Sequence, residues 1–405
     1  MSSDPRSTHR TEGALIALIA VVLVGINLRP GAGSIGPLLE EIRGGLDMGA
    51  STAGVLTGLP GLCFGLIGAL AVALSRRVGL GGGIALGVVA IVTGLIARAV
   101  TESITGFLLL SVLALGGMAI GNVLVPAWIK QHGGQAQVML ATVYGTCLIV
   151  GGTLSPWLTP LVEQSRGWRE ALGAWGVFAV LALPLWLLFA FRDRADRAGR
   201  PVVVRPSGRI AHSPTALAMT LFFGMQSMSG YVQLGWMPQI YRDAGLSAAY
   251  AGGMVALLNA VMLIGGLVMP SVIARSANLS PLFLLFGTLL GVSWLGLLVA
   301  PASVPWLWAV LMGFSGFAFP TVIALIPART RDPAVTAQLS GFVQPIGYLC
   351  AGLGPILIGI IHEATGDWTL VLILLAATAI PFTWAGMRVA QPVFVDDELA
   401  AQARS

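Results

Sequence analysis

Arg29 stands inside an apolar run that begins at Ala14 and continues through Ile35-Gly36-Pro37-Leu38-Leu39. The stretch around it reads Gly25-Ile26-Asn27-Leu28-Arg29-Pro30-Gly31-Ala32-Gly33-Ser34, and Arg29 is the one charged residue that cannot be placed near a membrane surface. An arginine in hydrocarbon costs roughly 3 kcal/mol on insertion scales, and intramembrane ionisable residues read by default as functional. Pro30 removes a backbone donor, and Gly31 and Gly33 loosen the helix further. Carbonyls freed in this way are tolerated at membrane depth only where protein or a wet cavity surrounds them. Two roles are therefore open to the guanidinium. It binds a small planar anion through its fork of donors, or it satisfies the freed carbonyls and reaches an aqueous vestibule. Asn27 is a second polar candidate in the same stretch.

Other polar residues fall on helical faces within apolar runs. Asn122, Pro126 and Lys130 are spaced by four and share one face. Asn122 is placed near mid-membrane, and Lys130 at the cytoplasmic end reads as a snorkelling anchor. Gln226, Ser229 and Gln233 form a stripe with Ser227 and Tyr231 beside it; such a stripe lines a cavity or bonds another helix. Ser340, Gln344 and Tyr348 repeat the spacing further on. Asn259 and Tyr144 are isolated in the middle of their runs. Trp236 is a gate or a belt residue, with the belt reading the commoner one.

The 17 acidic residues and four histidines all fall at run edges or in loops. Proton-coupled carriers commonly use a buried carboxylate or histidine, so coupling through a buried side-chain carboxylate is not expected. Uniport, exchange and co-movement of a proton with an anion stay open. No nucleophile–base pair and no set of metal ligands shares a run, which argues against an embedded enzyme; neither catalytic residues, metal nor cofactor are expected. Cys63, Cys147 and Cys350 lie in apolar runs without CxxC spacing and read as packing residues.

What must position these residues is a set of membrane helices. The chain is 56% hydrophobic and only 10% charged, against about 25% charged in soluble domains. A span needs about 20 mostly apolar residues. Twelve runs qualify: 14–42, 51–75, 82–98, 104–129, 136–162, 170–191, 215–240, 248–273, 281–300, 304–327, 335–361 and 368–390. This predicts an all-α membrane protein. With the N-terminus in the cytoplasm, the outer loops hold only Arg43, Arg98, Arg166, Arg169 and Arg242. Apart from Arg29, the rest of the 22 basic residues lie inside. The positive-inside rule therefore places both termini in the cytoplasm. The basic residues flank spans, so the net charge of +5 reads as topology and no nucleic-acid partner is expected.

The longest polar interval, 192–213, reads as a cytoplasmic linker between halves 1–191 and 214–390, with 391–405 as a cytoplasmic tail. The halves echo each other. Pro126 precedes Lys130 by four as Pro327 precedes Arg331. Pro156 precedes Gly167-Trp168 as Pro355 precedes Gly366-Asp367-Trp368. Ala53-Gly54 opens span two as Ala251-Gly252 opens span eight. Two parallel six-helix pseudo-repeats with a long central loop are the sequence picture of the major facilitator fold. Gly347 through Pro355 reads as a close-packing segment that lets span eleven bend or slide.

Several of these motifs together resemble the cyanate permease / 2-nitroimidazole exporter family of major facilitator transporters. They are Asn27-Leu28-Arg29-Pro30 with Gly36-Pro37-Leu38-Leu39, Gly121-Asn122-Val123-Leu124-Val125-Pro126 with Ile129-Lys130, Gly224-Met225-Gln226-Ser227 with Trp236-Met237-Pro238, and Leu339-Ser340 with Gln344 and Gly347-Tyr348. The resemblance implies secondary transport by alternating access of a small anionic or polar solute, in the plasma membrane and as a monomer. A cyanate-like anion is favoured; efflux of neutral planar heteroaromatics such as 2-nitroimidazoles is the alternative. The substrate-binding candidates are then Arg29, Asn27, Asn122, Tyr144, Gln226, Ser227, Tyr231, Asn259, Gln344 and Tyr348. One departure is clear: the facilitator loop Gly-x-x-x-Asp-Arg-x-Gly is here Val72-Ala73-Leu74-Ser75-Arg76-Arg77-Val78-Gly79, with Arg76 in the aspartate's place.

Overall fold

A computed structural model describes residues 5–195 and 210–402, and every regular element among them is helical. Among the described residues, eleven helices are long and apolar enough to cross a membrane. They match the expected spans except the seventh. That segment is helical over Pro214–Gly235 but carries Gln226, Ser227, Ser229 and Gln233, whose polar groups lower its mean hydropathy. Most of the expected linker, residues 196–209, lies outside the described residues.

Span one is broken where Pro30 requires it. One helix runs Pro5–Asn27, a four-residue turn follows over Pro30–Gly33, then a 3-10 turn Gly36–Leu38 and a short helix Leu39–Leu46. Arg29 is the residue before proline and leaves helical geometry at φ −121°, ψ −34°. The seventh span breaks comparably, after Gly235, and restarts as Met237–Asp243 with Pro238 in its first turn. The sixth and twelfth spans are each in two pieces, Trp168–Val180 with Leu183–Ala195 and Thr369–Ala377 with Ala379–Ala390. The repeat also extends to the backbone. Gly167 (φ 84°) and Gly366 (φ 73°) both take the left-handed conformation that ends span five and span eleven, which a side chain would strain.

Contacts divide the chain into two compact units. Unit 1 is Met1–Ser34 with Ile67–Pro201, and unit 2 is Ile35–Leu66 with Val202–Ser405. This division differs from the halves expected at 191 and 214, because residues 35–66 pack with the later helices. Glycines explain why. A Cβ on Gly61 would lie 2.6 Å from the Cα of Gly352, and one on Gly54 would lie 3.1 Å from that of Gly359. Gly58 meets the Gly352 carbonyl, and Gly65 meets Leu349. Gly54, Gly58, Gly61 and Gly65 fall on one helix face, so the first half of span two lies backbone to backbone with span eleven. The small residues of Gly347–Pro355 thus serve close packing, as their composition suggests.

Candidate functional sites in two units

In unit 1 the break in span one is the organising feature. The turn after Arg29 is closed by its own backbone: the Arg29 carbonyl accepts from the amides of Ala32 (3.1 Å) and Gly33 (3.0 Å). The Pro30 carbonyl accepts from both the amide (3.0 Å) and the hydroxyl (2.6 Å) of Ser34. The Gly31 carbonyl accepts from Nη1 of Arg98 at 3.1 Å. Arg29 is half-buried, and its stem runs past Gly152 of span five. Span five follows span one closely here, since Gly151 meets the Ile26 carbonyl and Gly25 meets Cys147 and Tyr144.

The other unit 1 candidates are placed around this break. Asn27 is buried and spends its amide N–H on the Leu23 carbonyl at 2.8 Å, leaving Oδ1 buried without a hydrogen-bond partner among the described residues. Tyr144 is buried beside Gly25. Asn122 is half-buried, one residue from Gly121, which packs on Leu28. Lys130 is exposed at the end of its helix.

Arg98 corrects the topological reading. It was expected in an outer loop, but it lies inside the helix Leu80–Val100 and is fully buried. Besides the Gly31 carbonyl, its guanidinium reaches the hydroxyls of Ser111 and Ser34 at 3.5 Å each and lies 5.9 Å from the Phe107 ring centroid. Nothing in the span's hydropathy announces this, because a basic residue three positions from a helix end has the pattern of an interfacial anchor. Among the described residues Arg98, not Arg29, is the charged side chain most fully buried in the protein.

In unit 2 the candidates split into two groups on spans seven and eleven. Gln233 donates to Ser229 Oγ at 3.0 Å, and Gln344 donates to Ser340 Oγ at 2.7 Å, so part of each stripe is satisfied along its own helix. Gln226 Oε1 and Ser227 Oγ are buried without a hydrogen-bond partner among the described residues. Tyr348 sits in an aromatic cluster, with ring centroids 5.0 Å from Phe223, 5.8 Å from Phe64 and 6.4 Å from Tyr231. Asn259 is half-buried on span eight. Sequence reasoning missed Phe64 and Phe223, whose only signal was to be apolar.

Trp236 also departs from expectation. A belt tryptophan meets headgroups, whereas this one is fully buried and donates its indole N–H to the Pro355 carbonyl at 3.1 Å. Its ring stands 5.7 Å from Trp368, which stacks on His362 at 4.0 Å.

The sequence profile described as Major Facilitator Superfamily matches residues 15–355. The chain belongs to that superfamily. This facilitator is 32% identical over 356 residues to the cyanate transport protein CynX of Escherichia coli, covering 87% of this chain and 91% of that one. It is 31% identical over 360 residues to the 2-nitroimidazole transporter of the same organism, covering 88% and 91%. A similar match, 31% over 375 residues, covers 91% of this chain and 92% of the transporter YycB of Bacillus subtilis. Among solved structures, the nucleoside transporter NupG superposes with TM-score 0.74 at 13% identity, over 93% of this chain and 98% of that one. The inward-open xylose transporter XylE of Escherichia coli gives 0.71 at 13%, over 97% and 99%; both establish the fold. The protein is thus a multi-pass membrane protein and a secondary transporter of a small molecule, not an enzyme.

Proposed function

We propose that this facilitator carries a small, cyanate-like anion, with Arg29 as the charge anchor. The observation that carries the reading is the place of Arg29 at the break in span one. Sequence alone left Arg29 a choice between binding an anion and satisfying freed carbonyls. The turn that follows has donors of its own, Arg98 on the Gly31 carbonyl and Ser34 on the Pro30 carbonyl. Arg29 sits at the non-helical point of the break, half-buried, where a permanently charged planar fork suits a small anion. The relative named as a cyanate transport protein supports the same substrate class. Asn27, Asn122 and Tyr144 are assigned to the same unit 1 site.

The orientation proposed is with both termini in the cytoplasm, in the plasma membrane, and the working unit is a monomer. With Arg98 buried, the outer basic set shrinks to Arg43, Arg166, Arg169 and Arg242, which sharpens the asymmetry behind this orientation.

A second reading, efflux of neutral planar heteroaromatics, is favoured by one observation in unit 2. The orphaned Gln226 Oε1 and Ser227 Oγ share that unit with the ring cluster around Tyr348, with Tyr231, Gln344 and Asn259 as further polar groups. The relative named as a 2-nitroimidazole transporter supports that substrate class. Counterflow in proteoliposomes separates the readings. Labelled cyanate exchanging, with the labelled 2-nitroimidazole static, supports the anion; the reverse supports the heteroaromatic.

A further inference from the structure

Arg98 is a second intramembrane cation, and its fork is aimed at the backbone of span one. Among the described residues it makes no ion pair, and its Nε has no partner. A charge buried without an opposite charge is costly, and three hydrogen bonds, two of them 3.5 Å long, offset that cost. A hydrophobic residue of similar volume would pack there without that cost.

We propose that Arg98 is a positioning residue for transport. It holds the Pro30–Gly33 turn by the Gly31 carbonyl and the Ser34 hydroxyl, and thereby sets the direction in which Arg29 presents its guanidinium to the anion. The inference rests on the reading of Arg29 given above. Arg29 is the N-cap of that turn, and its carbonyl is bonded by two amides, Ala32 and Gly33, that lie within the anchored Gly31–Ser34 segment. Rotation of the turn by one residue would swing the Arg29 side chain by about 100° around the axis. Two contacts prevent that rotation. Nη1 fixes the carbonyl of Gly31, and Nη2 fixes Ser34, whose hydroxyl itself donates to the Pro30 carbonyl. Ser111 and Phe107 on span four hold the other side of the guanidinium. The geometry requires a planar fork. A lysine keeps the charge but, as a point donor, does not bridge Gly31 and Ser34.

The test uses the full-length protein in proteoliposomes, with cyanate counterflow and amide hydrogen exchange over residues 25–38. Arg98→Lys and the milder Ser34→Ala are compared with the native protein, and each is repeated in an Arg29→Lys background. Arg98→Lys is expected to raise the half-saturation concentration for cyanate about tenfold and leave the maximal rate within about twofold. Ser34→Ala gives a smaller rise in the same direction. Amides 31–34 exchange faster in both, with other peptides unchanged. In the Arg29→Lys background neither change adds a further rise, because both act through Arg29. Effects that multiply independently of Arg29, or unchanged exchange at 31–34, overturn the proposal. If native protein moves 2-nitroimidazole and not cyanate, the anion reading fails by itself. The exchange data and the same cycle run with the nitroimidazole then decide whether Arg98 positions Arg29.

Discussion

Arg242 Nη1 stands 2.7 Å from Glu41 Oε2, which ties the short helix that ends span one to the helix Met237–Asp243 that ends span seven. Nη2 stands 2.7 Å from Glu40, and Nη1 also donates to the Pro37 carbonyl at 3.3 Å. The two acids are unequal partners. Glu41 is 21% exposed and Glu40 58%, so water screens the second pair far more. A double-mutant cycle on thermal unfolding should give a coupling of about 1 kcal/mol for Arg242 with Glu41, and less than about 0.5 kcal/mol for Arg242 with Glu40. Equal couplings would mean that exposure does not grade this clamp.

The glycine contact between spans two and eleven predicts a steric effect. Leucine at Gly352 would meet Leu62 and the Gly58 carbonyl, and overpacking of this kind costs about 1–3 kcal/mol. Cys63, which is buried, lies on the same stretch of span two. In a protein carrying Cys147→Ser and Cys350→Ser, Gly352→Leu should raise the maleimide reactivity of Cys63 several-fold and cut counterflow about tenfold. Unchanged reactivity together with native flux would show that the helices close without the glycine.

The C-terminal helix Val395–Gln402 is docked by carboxylates. Asp396 accepts from the amides of Arg331 (2.9 Å) and Asp332 (3.0 Å), and Asp397 pairs with Arg331 at 2.6 Å. Glu398 accepts from the hydroxyls of Ser213 and Thr215 and the Thr215 amide at the start of span seven. Burial raises the Asp396 carboxyl, but the backbone hydrogen bonds from Asp332 and Arg331 and the Arg331 charge together outweigh it and hold it below its ordinary value. A depressed carboxylate contributes stability that is present above its ordinary value, about 3.9, and is lost as pH falls through the lower folded value. Amide exchange in 395–402 should therefore accelerate at acid pH, below about 4. Asp396→Asn should produce the same acceleration at neutral pH. Exchange that stays flat in both cases would remove this carboxylate from the docking.

Much of this architecture is visible in the residues, and the exceptions have a common cause. Pro30 and Pro238 announce the breaks in spans one and seven, and Gly167 and Gly366 mark the matched ends of spans five and eleven, because backbone chemistry is local. Arg98 and Trp236 were misplaced because their partners are remote. The Gly31 carbonyl lies 67 residues from Arg98, and the Pro355 carbonyl 119 from Trp236. Near a helix end, hydropathy reads both residue types as interfacial, and only the fold shows which of them turn inward. The stripe of Gly54, Gly58, Gly61 and Gly65 had a signal that went unread, its spacing of four, three and four. The ten candidates stand out in the sequence only as polar groups in apolar runs, whereas the aromatic partners of Tyr348 carry no such contrast.

On the proposed reading, the Arg29 charge selects an anion. The most direct measurement is counterflow of labelled cyanate and of a labelled 2-nitroimidazole by native protein and Arg29→Gln, each checked for monodispersity. Removing a charge that contacts the substrate should lower cyanate flux about ten- to a hundredfold, as loss of a charge-assisted hydrogen bond does, and leave any nitroimidazole flux within a few-fold. Cyanate flux that survives Arg29→Gln in well-folded protein would contradict the account and leave Arg29 as part of the broken helix alone.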